Sequence, residues 1–169
     1  DLGAAYMGLH LLEREKRACG GQPDPKPKFE GHEYILGRQL KPEARTDIIE
    51  RLAEAGIVPT SMIDITDGLA SETLHLCKSS GCGARIYLDR LPIARQTHDM
   101  AEELHADPVV AALNGGQDYE LLFTVPLSKQ QEIFALGVDV IGHVTAAGTG
   151  AMLVTPDGSE IALKAPGWK

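Results

Sequence analysis

SMIDITDGLASETLHLC, residues 61–77, contains the junction that decides the fold, because an apolar, strand-like run passes there directly into a helix-like run. Two carboxylates, Asp64 and Asp67, stand at the junction on either side of Thr66. A strand that feeds a helix brings its last residues to a sheet edge, where the first turn of the helix presents unpaired N–H groups. The stretch therefore predicts a fold of mixed strands and helices with a polar junction at a sheet edge.

Two interpretations of this junction are open. Asp67 precedes Gly68, and an aspartate before a helix is a good N-cap, which stabilises the helix by ~1 kcal/mol. Alternatively, Asp64 and Asp67 hold Mg²⁺, which prefers one or two carboxylates with phosphate oxygens and water, while the Thr66 hydroxyl donates to a phosphate. Spacing alone favours the cap interpretation. The chain has no GxxxxGK motif, so it is not a P-loop kinase.

A second segment, LNGGQDYELLFTV (residues 113–125), places two glycines directly before a strand-like run. Paired glycines permit a bulge or the close approach of the backbone to a ligand. Alternation predicts that Tyr119 and Leu121 lie on one face of the strand and that Asp118 and Glu120 lie on the other. A plain strand entry and a ligand-binding loop both agree with this pattern.

The rest of the chain alternates helical and strand-like patterns around a segment rich in proline and glycine, residues 20–42, which we expect to be a strap without a stable element. Helices are predicted at residues 2–17, 42–56, 68–79, 93–105, 107–113 and 128–137, with Pro42 near the first turn of the second and Ser128 as the cap of the last. Strands are predicted at residues 60–65, 84–93, 118–125 and 138–146, and a hairpin at residues 151–163. The predicted class is α+β, with a mixed, largely antiparallel sheet that carries packed helices.

The composition argues against several classes of protein. With 169 residues, 43% of them hydrophobic, the chain is long enough for one domain with a core. A net charge of −8 argues against a nucleic-acid or anionic membrane surface, and no apolar run approaches the ~20 residues of a membrane-spanning helix. Three cysteines without a CxxC pair indicate a reduced, cytoplasmic chain. An acidic protein that handles phosphates needs divalent cations to offset the repulsion.

Five stretches, DLGAAYMGLHLL, GRQLKPEAR, SMIDITDGL, GGQDYELLFTVP and the terminal PGW, resemble in order the C-terminal half of the thiamine-monophosphate kinase family, within the aminoimidazole-ribonucleotide synthetase superfamily. The chain also begins without methionine and inside an amphipathic pattern, so we expect it to be a fragment. The resemblance implies that residues 1–169 are a C-terminal domain, that an N-terminal ATP-binding domain is missing, and that the intact protein is a homodimer.

By this resemblance the intact enzyme is a transferase of thiamine biosynthesis that moves the γ-phosphoryl group of ATP to the phosphate of thiamine monophosphate, with Mg²⁺ ions bridging the anions. The family's metal-binding acids fall on Asp64 and Asp67. Its hydroxyl residue in contact with ATP, more often serine, falls on Thr66. Its substrate-binding glutamate falls on Gln117, and its aromatic residue that stacks on the substrate falls on Trp168.

Gln117 departs from the family pattern, because an amide keeps a hydrogen-bond acceptor but loses the charge, and a charge-assisted bond is roughly twice as strong as a neutral one. Trp168 has a second interpretation, in which it packs on the sheet. No residue is expected to act as a nucleophile. Cys77 is interpreted as a small core residue on a helix.

Two other functions stay open at this point. One is a sister enzyme of the same superfamily, of the aminoimidazole-ribonucleotide synthetase or selenophosphate synthetase type, acting on a different substrate. The other is a non-catalytic lid or dimerisation module. We expect these 169 residues alone to be inactive, because most ligands to ATP are expected in the missing half.

Overall fold

A computed structural model of the chain describes residues 1–20 and 26–165. Within these ranges the chain forms seven α-helices and six strands, with two short 3₁₀ turns. The helices are α1 (Ala4–Cys19), α2 (Glu33–Leu40), α3 (Thr46–Glu54), α4 (Leu69–Ser80), α5 (Arg95–Glu103), α6 (Pro108–Asn114) and α7 (Gln130–Ala135). The strands are β1 (Ser61–Asp64), β2 (Gly83–Tyr87), β3 (Leu121–Thr124), β4 (Gly142–Thr145), β5 (Ala151–Val154) and β6 (Glu160–Ala162).

The strands of the described residues form two sheets. β1 and β3 make an antiparallel pair, and a four-stranded sheet has the order β4-β2-β5-β6, in which only β2 and β5 run parallel. The predicted α+β class with mixed, largely antiparallel pairing is confirmed, as is the hairpin, whose strands β5 and β6 pair with Leu153 opposite Ile161. The division into two sheets was not predicted, because strand periodicity shows which face is buried but does not specify the partner strand.

Buried side chains of the described residues gather in three clusters. The first joins the four-stranded sheet to α4 and α6 and contains Leu69 and Ile86. The second lies between α1, α2, α5 and α6 around Met7, and the third packs α3 and α7 on the β1–β3 pair around Ile133. Cys77 belongs to the first cluster, as predicted for a small core residue, and burial raises the pKa of its thiol.

The predicted strap at residues 20–42 is wrong in its second half, where α2 forms. Ile35 is buried there, and the helix crosses α1 at Gly8. A Cβ atom built on Gly8 would lie 2.7 Å from the Ile35 carbonyl oxygen and from Gln39 Cβ, so only glycine permits this approach. Tertiary packing on α1 therefore stabilises a helix that is too short to form alone.

Two predicted helix starts are also wrong. α3 begins at Thr46 rather than near Pro42, because Arg45 adopts a non-helical conformation (ψ 51°) and directs its guanidinium to carboxylates. Ser128 does not cap α7, since it lies in a 3₁₀ turn, and no side-chain hydrogen bond forms at the cap residue Lys129. Asp107 does cap α6, accepting from the N–H group of Val109 at 2.8 Å.

We predict that Gly8→Ala destabilises the chain by about 1–3 kcal/mol, because the added methyl group must displace the α2 backbone. Gly37→Ala in α2 is the matched control, since a Cβ atom there meets nothing within 4 Å. That variant should gain about 0.5–1 kcal/mol from helix propensity. Urea unfolding of both variants measures the difference, and equal stabilisation by both would contradict the proposed close contact.

Candidate functional site

Two chain segments form a single unit beside the β1–β3 pair. The acidic turn (residues 64–68) joins β1 to α4, and the glycine loop (residues 115–120) joins α6 to β3. Antiparallel pairing brings Asp64, the last residue of β1, opposite Leu121, the first residue of β3. The two motifs that the sequence presents about 50 residues apart are therefore neighbours in space.

Backbone hydrogen bonds hold the acidic turn to the glycine loop. The N–H groups of Gln117 and Tyr119 donate to the carbonyl oxygens of Thr66 at 2.7 Å and Ile65 at 2.9 Å. A Cβ atom on Gly116 would lie 2.5 Å from the Thr66 carbonyl oxygen, closer than any real side chain approaches. Gly116 thus serves the contact with the acidic turn, whereas Gly115 makes room for Tyr6 of α1, and both roles are structural.

The helix-cap interpretation of Asp67 is wrong. Gly68 is the cap residue of α4, and its φ of 108° lets the chain turn into the helix without a side-chain hydrogen bond. Asp64 is exposed and Asp67 is half-buried. Within the described part of the chain, neither carboxylate has a hydrogen-bond partner or an ion-pair partner. Both are therefore available to a ligand.

The donors of the acidic turn bind a buried carboxylate that the sequence did not reveal. Glu72 in α4 is 2% exposed, and its Oε1 atom accepts from the Asp67 N–H group at 2.8 Å and the Thr66 N–H group at 3.2 Å. The Thr66 hydroxyl also donates to this oxygen, at 3.3 Å. The sequence did contain a signal for this contact. Glu72 lies near the start of the helix predicted at residues 68–79, where a carboxylate can accept hydrogen bonds from the N–H groups that precede it.

The glycine loop has an unusual backbone. Gln117 and Tyr119 both have left-handed conformations, with φ of 61° and 52°, which are uncommon for residues other than glycine. The side-chain oxygen of Gln117 accepts from Gln39 Nε2 at 3.3 Å. The segment predicted to be a strap therefore contributes α2 residues to the site, and β3 begins only at Leu121, after the strained residues.

A second group that sequence analysis missed is a pair of arginines on Glu120. Arg38 Nη2 donates to Glu120 Oε1 at 2.9 Å and to the Asp118 carbonyl oxygen at 2.9 Å. Arg45 forms an ion pair with the other Glu120 oxygen and with Asp47, and these two carboxylates raise the pKa of its guanidinium. The stretch GRQLKPEAR contains both arginines, but only tertiary structure brings them to one carboxylate.

Asp118 is a buried acid that holds the start of α1. Both of its carboxylate oxygens lie 3.0 Å from the backbone nitrogen of Gly3, which donates to them, and the side chain is 3% exposed. Burial raises the pKa of Asp118 to about 6, although the N–H groups of Gly3 and Ala5 and the charge of Arg38 act in the opposite direction. The predicted position on a polar strand face is wrong, because Asp118 precedes β3.

The acidic turn provides part of the coordination that a hard divalent cation needs. Asp64 and Asp67 provide carboxylate oxygens, and one or two carboxylates are what Mg²⁺ takes from a protein when phosphates complete its coordination. No cluster of three or more histidine, cysteine, aspartate or glutamate side chains is placed to hold a metal within residues 1–20 and 26–165.

Trp168, the predicted stacking residue, lies outside the described residues. Among the described helices, none has the length and apolar character needed to cross a bilayer.

We predict that Asp118 makes stability fall as pH rises. The folded pKa of about 6 exceeds its usual value of 3.8, so between these pH values the folded chain binds more protons than the unfolded chain. Stability from this group is complete below about pH 4 and is lost through about pH 6, by up to about 3 kcal/mol. Asp118→Asn removes the titration, and urea unfolding across this range should show the difference. Parallel pH profiles of the two proteins would contradict the prediction.

Comparison with known proteins identifies relatives of the chain. Residues 4–155 match the family model of AIR synthase related protein, C-terminal domain. Thiamine-monophosphate kinase of Aquifex aeolicus is 31% identical over 169 residues, covering 99% of this chain and 48% of the relative. The enzyme of Escherichia coli K12 is 37% identical over 176 residues, with the same coverage. The chain thus spans about half the length of these curated relatives.

Solved structures agree with this relationship. The thiamine monophosphate kinase of Aquifex aeolicus superposes with a TM-score of 0.72 at 29% identity, covering 98% of this chain and 49% of that one. A complex of AaThiL with AMPPCP and TMP has a TM-score of 0.71 at 31% identity, covering 95% and 46%. The hydrogenase maturation protein HypE of E. coli, at 22% identity and a TM-score of 0.64, shares the fold. The chain therefore belongs to the AIR synthase related family, and residues 4–155 are that family's C-terminal domain.

Proposed function

We propose that this chain is the C-terminal half of an ATP-dependent kinase that converts thiamine monophosphate to thiamine diphosphate in thiamine biosynthesis. The observation that carries the proposal is the joining of the acidic turn, which contains the unpaired Asp64 and Asp67, to the glycine loop, which contains Gln117. The complex of a relative with AMPPCP and TMP supports the choice of both substrates. An N-terminal ATP-binding domain and a homodimer complete the proposed enzyme.

Phosphoryl transfer asks a protein mainly for positioning and charge neutralisation. In the proposed site Asp64 and Asp67 would hold Mg²⁺, which would supply the positive charge needed for two anionic phosphates to approach each other. The chain itself has a net charge of −8, so its carboxylates attract the cations and do not attract the nucleotide directly. No side chain needs to act as a nucleophile, because the phosphate of the acceptor attacks ATP directly.

The substrate side of the proposed site is the glycine loop. The backbone N–H group of Gln117 donates to the acidic turn, and Gln39 donates to the oxygen of its side-chain amide, which restricts the orientation of that amide. Trp168 is proposed to stack on the thiamine ring system, and this role stays a prediction. Thr66 is proposed to lie next to the ATP phosphates, because its backbone is part of the acidic turn.

An assay of the intact protein with ATP, Mg²⁺ and thiamine monophosphate tests the proposal, with chromatographic detection of thiamine diphosphate. Formylglycinamidine ribonucleotide and selenide, the substrates expected for the sister enzymes, serve as alternative acceptors and should not react. Phosphorylation of either in place of thiamine monophosphate would overturn the assignment. The 169-residue chain alone should show no turnover.

We predict that Asp64→Asn and Asp67→Asn each reduce kcat at least a hundredfold while changing the free energy of unfolding by less than about 0.5 kcal/mol. The reason is that neither carboxylate has a partner in the described part of the chain. Asp157→Asn is the matched control, because Asp157 also precedes a glycine but accepts from the Ser159 hydroxyl in a hairpin turn. It should lower stability and leave kcat unchanged. A lower free energy of unfolding together with an unchanged kcat in the two variants would exclude the metal role of these acids.

We also predict that Gln117→Glu lowers the KM for thiamine monophosphate severalfold. A carboxylate would accept a charge-assisted hydrogen bond from an N–H group of the substrate in place of a neutral one, and its charge would attract the cationic thiazolium ring. Gln39 Nε2 can still donate to the new carboxylate, so the loop should keep its conformation. Steady-state kinetics with the intact enzyme measures KM and kcat. An unchanged or higher KM would show that Gln117 does not contact the thiamine moiety.

A further inference from the structure

We propose that Glu72 is a positioning residue that fixes the acidic turn and makes it select a cation over a phosphate. The inference rests on the proposed role of Asp64 and Asp67 in holding Mg²⁺. Its evidence lies in the contacts of Glu72 itself, which is buried and accepts hydrogen bonds from the backbone of the acidic turn.

The hydrogen bonds of Glu72 compensate for its burial. Burying a carboxylate is costly unless hydrogen bonds compensate. Glu72 is 2% exposed, and within the described residues no lysine, arginine or histidine forms an ion pair with it. The compensation comes from the donors of Thr66 and Asp67, together with its place near the positive end of the α4 dipole.

These contacts change what the start of α4 can bind. A helix N-terminus ordinarily attracts phosphate through its free N–H groups. Just before the cap residue Gly68, the N–H groups of Thr66 and Asp67 already donate to an internal carboxylate, so a phosphate that bound these two groups would have to displace Glu72. A cation instead meets the negative charge of Asp64, Asp67 and Glu72, and the attraction grows as its distance to each carboxylate shortens.

The Thr66 hydroxyl is affected in the same way. The hydroxyl donates to Glu72 Oε1 at 3.3 Å, so a phosphate oxygen would compete with Glu72 for its hydrogen. A hydroxyl oxygen keeps lone pairs that accept a hydrogen bond when its own hydrogen is donated elsewhere. Thr66 would therefore meet a cation, or a water bound to it, and would contact ATP through that group.

Glu72 also completes a clamp on the backbone of the acidic turn. On one side the carbonyl oxygens of Ile65 and Thr66 accept from the glycine loop. On the other side the N–H groups of Thr66 and Asp67 donate to Glu72. With both sides held, the two unpaired carboxylates keep their relative position before a ligand binds, which reduces the entropy cost of binding.

Glu72→Gln tests the charge, because the amide keeps the size of the side chain and an acceptor oxygen. Glu15→Gln is the matched control. Glu15 is also a buried acid, 6% exposed, and accepts from the Lys28 N–H group at 2.8 Å and from Arg14 Nε at 3.0 Å. Both variants therefore lose a buried negative charge from a hydrogen-bonded site, but only one of these sites includes the acidic turn.

The experiment is a Mn²⁺ titration of the intact protein followed by electron paramagnetic resonance of the free ion, with a non-hydrolysable ATP analogue present. Thermal unfolding and the KM for thiamine monophosphate are measured on the same proteins. We expect Glu72→Gln to weaken Mn²⁺ binding about tenfold with less than a twofold change in KM, and Glu15→Gln to change the Mn²⁺ affinity less than twofold. If Glu72→Gln does not fold, Glu72→Asp, which keeps the charge but is one methylene shorter, should weaken binding about threefold.

Wild-type Mn²⁺ affinity in the folded Glu72 variant, together with a fall in melting temperature like that of Glu15→Gln, would overturn the proposal and leave Glu72 a structural acid. The titration requires no turnover, so it separates this proposal from the proposed function. Weaker Mn²⁺ binding in a protein that does not phosphorylate thiamine monophosphate would support the role of Glu72 and reject the kinase assignment.

Discussion

The backbone contact between the acidic turn and the glycine loop is the constraint on which the rest of the site depends. The N–H group of Gln117 donates to the Thr66 carbonyl oxygen at 2.7 Å, and Gly116 is the residue that allows the approach. Two acids of the same loop hold other segments of the chain in place. Asp118 holds the first residues of α1, and Glu120 receives arginines from α2 and from the segment before α3. Helices from the first third of the chain are thereby tied to a loop near residue 120.

The acids of this region differ in their hydrogen-bond and ion-pair partners, and this difference distinguishes acids with a structural role from acids that can bind a ligand. Asp118, Glu120 and Glu72 each have defined partners and are largely buried. Asp64 and Asp67 are the acids of this region without partners among the described residues. Because a buried charge must be compensated while an exposed one need not be, the unpaired acids are those that a cation can bind at little cost.

Prediction from sequence worked where a local pattern determines the structure. The passage from β1 to α4, the short helix α6 and the β5–β6 hairpin each depend on neighbouring residues, and each was predicted close to its observed place. It failed for α2, an eight-residue helix with an internal glycine and Ile35 as its buried residue, because a helix so short exists only through packing on α1. It also favoured Asp67 as a cap, since it had no information on the φ angle of Gly68.

The sequence by itself determined the order of the elements, the family to which they belong and the residue types available at the site. Tertiary structure alone decided the role of each of several identical side chains. Asp118 and Asp67 are both aspartates beside a glycine motif, yet one accepts from an N–H group 115 residues away and the other has no partner among the described residues. The physical reason is that short-range spacing specifies local conformation, whereas burial and hydrogen-bond partners depend on segments that meet only when the chain has folded.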